Sequence, residues 1–485
     1  MNVADRAECE LVVIGGGPAG LAAATLAAEL GLDTVILDEQ ETPGGQIYRS
    51  IERRTKQDDR IAPLLGPDYR SGLGVVEAFR RSGAVYAPGS AVWQVCPDGT
   101  VGITQNGVAS LLRAKRVILA TGAMERPVPV TGWTLPGVMG AGAAQTLLKS
   151  SGVVPSEPTV ICGCGPLPLL VAAQLLEAKV PLKAVLITTP RMLPAGALLE
   201  LPRAISQFRE IMKGLSWMRR LRAAGVAVHH GVSAVEARGA STLEKVSFDV
   251  GGQRQSIDAS VLLLHDGVVP NVQLSRSAGI RHSWDESQLT WRPDVDEWGA
   301  TSRERLAVAG DGRQILGAKA AVPLGKLAAL DAACKLGKIS VQERDSRAGE
   351  WRKQLKQHTR IRPFLDRAFP PTLVRLLPTG DTIVCRCEEI SAASLRSTIR
   401  DDGLTNPDQI KSLTRCGMGP CQGRMCGTTV GRIIAEELGQ SIEKVGLYRP
   451  RIPVKPLSLG ALADLHNALT EPGLKAPAEP TRREL

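Results

Sequence analysis

The sequence predicts an α/β chain with two Rossmann-like halves on largely parallel sheets, followed by a small helical module that holds a metal or cluster. Three observations carry this. A strand near the start runs directly into G-x-G-x-x-G and a helix, a similar strand, glycine loop and helix recur near residue 160, and four late cysteines are spaced C-x-C … C-x-x-x-x-C. The 485 residues suffice for two or three domains and a large buried core. No apolar run approaches the roughly 20 residues of a membrane span. The first residues lack the basic region and cleavage site of a secretory leader, so a cytoplasmic protein with reduced cysteines is expected. The net charge of +10 comes with only 3% aromatic residues and with Lys and Arg spread along the chain, which argues against nucleic acid. A solvated basic face or a patch for an acidic partner is the expected reading.

In the first half, the apolar run Glu10–Ile14 leads into Gly15-Gly-Gly17-Pro18-Ala19-Gly20, and a helix pattern follows from Leu21. Gly15 permits the tight turn, Gly17 lets the backbone approach a pyrophosphate, and Gly20 lets the helix pack close to the strand. The helix N-terminus then faces the phosphates. The next strand, Asp33 to Asp38, ends in an acid about 20 residues past the loop, where a carboxylate takes ribose hydroxyls. Asp38 is assigned that role, with Glu39 as the fallback. Three later pieces favour FAD over NAD: Gly44-Gly45-Gln46 after the acidic strand, the strand-turn Val117 to Thr121-Gly122, and Leu306 to Gly310-Asp311. They occur in the order in which flavoproteins with two dinucleotide folds carry them.

The second glycine loop, Cys162-Gly163-Cys164-Gly165-Pro-Leu-Pro168, departs from the pattern. Pro168 stands at the third glycine position. The strand after it ends in Thr188-Thr189, without the acid or arginine that selects NAD or NADP. The fold is expected without the NAD(P) signature. Cys162 and Cys164 form C-x-C rather than a redox dithiol, and are read as small residues filling a turn. The basic helix pattern Phe208 to Arg222 carries Met212, Leu215, Trp217, Met218 and Leu221, either core or facing a partner. His229-His230, with no further ligand beside it, is read as structural.

The stretch 336–380 mixes a charged helix pattern with Pro363, Pro370, Pro371 and Pro378 and reads as a linker arm rather than a core element. Beyond it Cys385, Cys387, Cys421 and Cys426 match either a 2Fe–2S cluster or a four-thiolate zinc site. Cys416 and Cys421 repeat the spacing of Cys421 and Cys426, so spacing does not choose between the pairs. Arg386, Lys411, Arg415 and Arg424 lie beside these ligands and would offset a cluster's negative charge. Nearby glycines would let backbone N–H groups face the sulfurs. The expected division is 1–125 with 265–335 for the FAD-binding domain, 126–264 for a degenerate second nucleotide fold, 336–380 for the arm, 381–450 for the cysteine module and 451–485 for an extended tail.

Together, GGGPAGLAAA, DEQETPGGQIYR, ATGAMERPVPVTGWTLPGV, VAGDG, CRCEEI and RCGMGPCQGRMC resemble the larger, alpha-type subunits of multi-subunit amine and imino-acid dehydrogenases. These include opine oxidases, D-hydroxyproline and dye-linked L-proline dehydrogenases and the B subunit of hydrogen cyanide synthase. The C-terminal module is similar to the bacterioferritin-associated-ferredoxin type of 2Fe–2S domain, and its last motif also resembles the tail of anaerobic glycerol-3-phosphate dehydrogenase. The resemblance implies a disulfide-reductase type of flavoprotein fold. It implies FAD at Gly15, Gly17, Gly20, Asp38 and Asp311, and a cluster on Cys385, Cys387, Cys421 and Cys426, the pair it prefers over Cys416. A smaller flavoprotein subunit similar to D-amino acid oxidase would oxidise the C–N bond, with FMN often at the interface and sometimes a third small subunit. Electrons would pass to a quinone or another acceptor, which admits peripheral contact with the inner membrane. No substrate-oxidising base is matched in this chain. A competing reading is a stand-alone NAD(P)H-dependent reductase; another is a scaffold with nucleotide and zinc.

Overall fold

The computed structural model describes residues 6–55, 59–205 and 207–470, with side chains to residue 465. The last fifteen residues, expected to fray, lie outside the described residues.

The first sheet is built on the strand Glu8–Ile14, which pairs in parallel with Thr34–Leu37 on one side and Val108–Leu119 on the other. Its residues alternate between two cores. Leu11 and Val13 join Leu21, Ala24 and Leu327 on one face, and Val12 and Ile14 join Val92, Leu274 and Val308 on the other. A strand covered on both faces needs this unbroken apolar run. Each such fully buried side chain contributes about 1.5–3 kcal/mol. Val85–Ala87 extends the parallel order beyond Thr34–Leu37. Val108–Leu119 serves two roles: its C-terminal end pairs in parallel with Leu306–Val308, and its start pairs antiparallel with Thr100–Gln105. The return of residues 306–308 to this sheet makes the first half discontinuous in sequence.

The helix Pro18–Glu29 is buried on nearly every side, because it lies between the sheet and the long helix Ala318–Lys335. Small residues permit this. A methyl group on Gly325 would sit 2.0 Å from the carbonyl oxygen of Ala19.

A second sheet, all parallel, takes the order Ala227–His230, Leu182–Ile187, Thr159–Gly163, Val261–His265, Val138–Gly140. A three-stranded antiparallel sheet (Ser233–Arg238, Lys245–Val250, Gln253–Asp258) packs Val246 and Phe248 onto it. Pro168 lies in the first turn of the helix Pro166–Glu177, where a missing N–H costs no hydrogen bond. The helix therefore forms despite the lost glycine. The expected α/β architecture of two nucleotide folds and a small helical module is the one observed.

Two segments differ from expectation. The helix pattern of the expected arm packs as core: Val341–Thr359 sets Ala348, Trp351 and Leu355 on the first core, and Phe364 and Ala368 of Arg362–Ala368 bury against Ala197 and Ala204. The tail is extended only to about residue 458. Leu459–Thr470 is a helix that sets Ala461 and Leu465, one turn apart, on Trp93 and Ala109.

The cysteine module has its own core of Leu395, Ile399, Ile410, Ile433 and Ile434 around the buried cysteines. Asn406 and Gln409 form a reciprocal cap at the start of Pro407–Thr414. Trp133 Nε1 donates to Ile383 O at 2.7 Å, which ties the module to the second half. No helix among the described residues is long and apolar enough to cross a membrane.

Candidate cofactor cradle and cysteine centre

One cavity of about 1300 Å³ runs from the first glycine loop to the second. Gly15, Gly17, Pro18 and Ala19 form its floor. Asp38 and Glu39 stand at one end, and Gly45, Gln46, Thr121, Gly122 and Asp311 line its length. Gly20 and Gly310 are behind this wall. A methyl group on Gly20 would sit 1.9 Å from Gly15 O, and one on Gly310 would sit 2.6 Å from the Ala19 side chain. Gly45 has φ +60° and would bring a methyl group to 2.7 Å from Gly17 Cα. The two loops therefore touch only because Gly45 is bare.

Asp38 is tied into this geometry. Its carboxylate accepts from Gly16 N (2.9 Å), Gln40 N (3.1 Å) and the Tyr86 hydroxyl (3.2 Å). Burial pushes its carboxyl up, and these hydrogen bonds oppose the shift. Glu39 is ion-paired with Lys455. Asp311 Oδ1 accepts from Leu316 N and Gly317 N, both at 2.9 Å, fixing the turn that starts Ala318–Lys335. Thr121 Oγ1 donates to Asn271 O at 3.0 Å. A dinucleotide fits this donor set. The Arg49 Nε lines the cavity region, is buried, and has no hydrogen-bond partner among the described residues, as a site for an anionic phosphate requires.

Several cavity residues were not found from the sequence. Glu125 and His265 meet at 2.7 Å, and Gly142 N donates to Glu125. Lys149 Nζ donates to Gln46 O and Gln145 Oε1, and burial holds its amine down to about 7. Both pairs join residues far apart in sequence or on a helix with no motif, so no local pattern marked them.

At the second loop the thiols of Cys162 and Cys164 are buried and pushed up by burial, which makes them poor nucleophiles. Cys164 Sγ donates to Asp266 Oδ1 at 3.4 Å, and Arg375 reaches both Asp266 (3.6 Å) and Cys162 Sγ (3.6 Å). They belong to a buried polar cluster rather than merely filling a turn. His229 stacks on Phe248, with ring centroids 5.3 Å apart. The helix Phe208–Ala223 buries only Leu221, while Phe208, Met212 and Leu215 are exposed.

The five cysteines of the last module fall into a buried triangle and a neighbouring pair. Cys385, Cys416 and Cys426 are buried, with sulfurs all within 4.8 Å of one another. Cys387 and Cys421 hydrogen-bond each other, and Cys385 acts electrostatically on Cys387. Hydrogen bonds from the Cys416 and Cys426 thiols hold Cys385 down to about 2, aided by the N–H groups of Gly417 and Glu388. In return Cys416 is pushed up to about 12 and Cys426 also rises. Three thiols this close share one negative charge unless a cation draws off the other protons. The donor set suits a soft metal or an iron–sulfur cluster. The nearby glycines do more than present N–H groups: methyl groups on Gly417 and Gly423 would meet the Tyr448 ring at 2.8 and 2.7 Å. Of the four basic neighbours, Arg415 pairs with Glu388 (3.1 Å), Arg386 and Lys411 lie over the Trp133 and Tyr448 rings, and Arg424 lines the cavity.

A glycine-loop cradle beside a second nucleotide fold defines an oxidoreductase of the two-dinucleotide-fold class. The family described as pyridine nucleotide-disulphide oxidoreductase matches residues 9–325, and the sarcosine oxidase A3 domain matches residues 379–465. The chain is 42% identical over 467 residues to the A-type subunit of opine oxidase from Rhizobium meliloti, covering 94% of this chain and 87% of that one. It is 31% identical over 468 residues to hydrogen cyanide synthase subunit HcnB of Pseudomonas protegens, covering 93% and 96%. Its fold is similar to L-proline dehydrogenase from P. horikoshii, with a TM-score of 0.67, 19% identity and coverage of 94% and 80%. The chain belongs to the pyridine nucleotide-disulphide oxidoreductase family, and within it to the group formed by the A-type subunits of opine oxidase and by hydrogen cyanide synthase subunit HcnB. That family implies FAD in the first cradle.

Proposed function

We propose that this chain is the electron-transferring subunit of a multi-subunit dehydrogenase that oxidises the C–N bond of an amino acid, imino acid or opine. One observation carries the reading. Arg424, between Cys421 and Cys426, lines the same cavity as Thr121, Gly45 and Asp311, so the cysteine loop abuts the cofactor cradle. FAD, when bound, takes electrons in pairs and releases them singly, which suits a neighbouring one-electron cluster. The chain's own residues bind and orient. The loop Gly15–Gly20 and Gly45 admit the pyrophosphate, Asp38 and Glu39 face the ribose, Arg49 offers a buried donor, and Asp311 fixes the far end.

The cluster is 2Fe–2S, held by Cys385, Cys387, Cys421 and Cys426. A second assignment, in which Cys416 replaces one of these, is favoured by the close triangle of Cys385, Cys416 and Cys426. Substrate oxidation falls to a smaller flavoprotein partner, with FMN at the interface. Met192 (83% exposed) and Leu199 (77%), together with Phe208 and Leu215, form an apolar surface that such a partner would cover. Electrons leave to a quinone or another acceptor.

The test is native mass spectrometry of the complex from its own host, read with bound flavin, iron and sulfide. A smaller flavoprotein partner, with FAD and a 2Fe–2S increment on this chain, is the expected result. Dye reduction by opines, proline, hydroxyproline, sarcosine or glycine then names the substrate. A lone chain carrying zinc and no flavin would overturn the proposal.

A further inference from the structure

The cradle has a wall that neither glycine loop supplies. It comes from the segment after the cysteine module. Tyr448 is buried beside Cys416, and its carbonyl accepts from Arg276 at 3.2 Å. Arg449 N donates to Asp408 at 3.1 Å. The chain then crosses to the first sheet, where Val454 is buried in the core that contains Val12 and Leu37, and its N–H donates to Trp93 O at 3.0 Å. Lys455 follows, ion-paired with Glu39, and lines the cavity beside Asp38 and Ser90. The helix Leu459–Thr470 fixes the far end of this strap on Trp93.

The charges explain why a cation belongs there. Asp38 and Glu39 place two carboxylates at the end of a cavity built for a dinucleotide, whose pyrophosphate is itself anionic. Arg49 acts on Asp38. Among the described residues, Lys455 is the ion-pair partner of Glu39. Without it, Glu39, whose side chain is 46% exposed, would leave an uncancelled charge at the cavity edge, and solvent would only in part screen its repulsion of an anionic ligand.

We propose that Lys455 is a further cofactor-positioning residue: carried on a strap from the cysteine module, it cancels the charge of Glu39 and so keeps the dinucleotide in the cradle. The inference rests on the reading of that cradle as the FAD site. The strap makes retention of the nucleotide depend on a segment outside both nucleotide folds.

The test uses the full chain with Lys455→Met, Lys455→Arg and Glu39→Gln, measuring flavin per chain as purified and FAD affinity after stripping. Lys455→Met weakens FAD about tenfold. Lys455→Arg, which keeps the charge, stays within about threefold of the parent. In the Glu39→Gln background the Lys455→Met penalty shrinks to less than about threefold, because the acid paired with Lys455 is gone and Asp38, on which Lys455 also acts, keeps Arg49. Unchanged iron and sulfide content shows that the cysteine module still folds. FAD affinity unaffected by Lys455→Met, or weakened equally by Met and Arg, overturns the inference while leaving the FAD site intact. A parent chain that binds no flavin refutes the cradle reading itself, and this inference with it.

Discussion

Replacing Gly20 with alanine places a methyl group 1.9 Å from the Gly15 carbonyl oxygen and 3.3 Å from the Ala120 side chain. Ordinary contact begins at 3.4 Å, so the loop and the helix Pro18–Glu29 must separate by about 1.5 Å. The helix has little room to retreat, because Ala19 O already abuts Gly325 on the helix Ala318–Lys335. Overpacking against backbone on both sides costs about 1–3 kcal/mol. The displaced end is the one that faces the pyrophosphate, so the cost falls on FAD binding as well as on folding. If all of it appears in binding, affinity drops about 5- to 150-fold. Flavin fluorescence titration of the stripped chain reads the affinity, and thermal unfolding reads the remainder. Iron content serves as the internal control, since the cysteine module lies elsewhere in the chain. A Gly20→Ala chain that binds FAD within about twofold of the parent and unfolds at the same temperature would refute the close-approach argument.

Other consequences follow from the same geometry. Cys385→Ser and Cys426→Ser each abolish iron and sulfide binding, whereas Cys416→Ala keeps a full cluster; loss of iron in Cys416→Ala moves the ligand assignment to that residue. Arg375→Ala leaves Asp266, whose side chain is fully buried, without its ion-pair partner and with Arg126 as the remaining cation acting on it, and destabilises the fold by about 3 kcal/mol in urea unfolding. Little change in the urea midpoint would show that Asp266 is held by its other partners. The Lys149 amine is held at about 7 when folded against 10.5 ordinarily, so between those values the unfolded chain binds a proton that the folded chain lacks. Its contribution to stability therefore rises with pH across that window, and the penalty for charging it is fully present below about 7. Lys149→Met gains stability relative to the parent at about pH 6.5 and loses that gain by about pH 10; a constant difference at both pH values contradicts this.

The first nucleotide fold was legible because its constraints are local. Gly15, Gly17 and Gly20 lie within one turn, and Asp38 closes the next strand, so sequence spacing alone sets their places. The return of 265–335 to the first half followed only from the order of motifs, and the pairing of Leu306–Val308 with Val108–Leu119 came from the structure. The helix pattern of Val341–Thr359 was seen, but its place in the first core was missed for an instructive reason. Ser340 and Glu343 are a cap signature, and the Ser340 side chain does accept from Glu343 N. The prolines that suggested a linker all lie after that helix ends. The helix Leu459–Thr470 could not be read because its apolar face makes sense only against Trp93, more than 350 residues earlier. The same limit applied to the cysteines. Spacing left the pairs Cys416–Cys421 and Cys421–Cys426 equivalent, and only folding brings Cys416 against Cys385 and Cys426.

Several cations that complete the cavity share an origin. Arg362, Arg424 and Lys455 all reach the cavity from beyond residue 336, and Arg375 closes the buried cluster behind the second loop. The two nucleotide folds supply bare backbone, acids and a helix N-terminus, which suffice to shape a dinucleotide site but leave Glu39 unpaired and Asp266 with only Arg126 acting on it. The later segments bring cations to both. A glycine loop can be recognised in isolation because it answers to backbone geometry. A compensating cation cannot, because its position is fixed by the strap or helix that carries it across the surface. The cavity is therefore completed by the same segments that hold the cysteines, and the link between cofactor cradle and cysteine centre lies in the packing of those segments rather than in either motif.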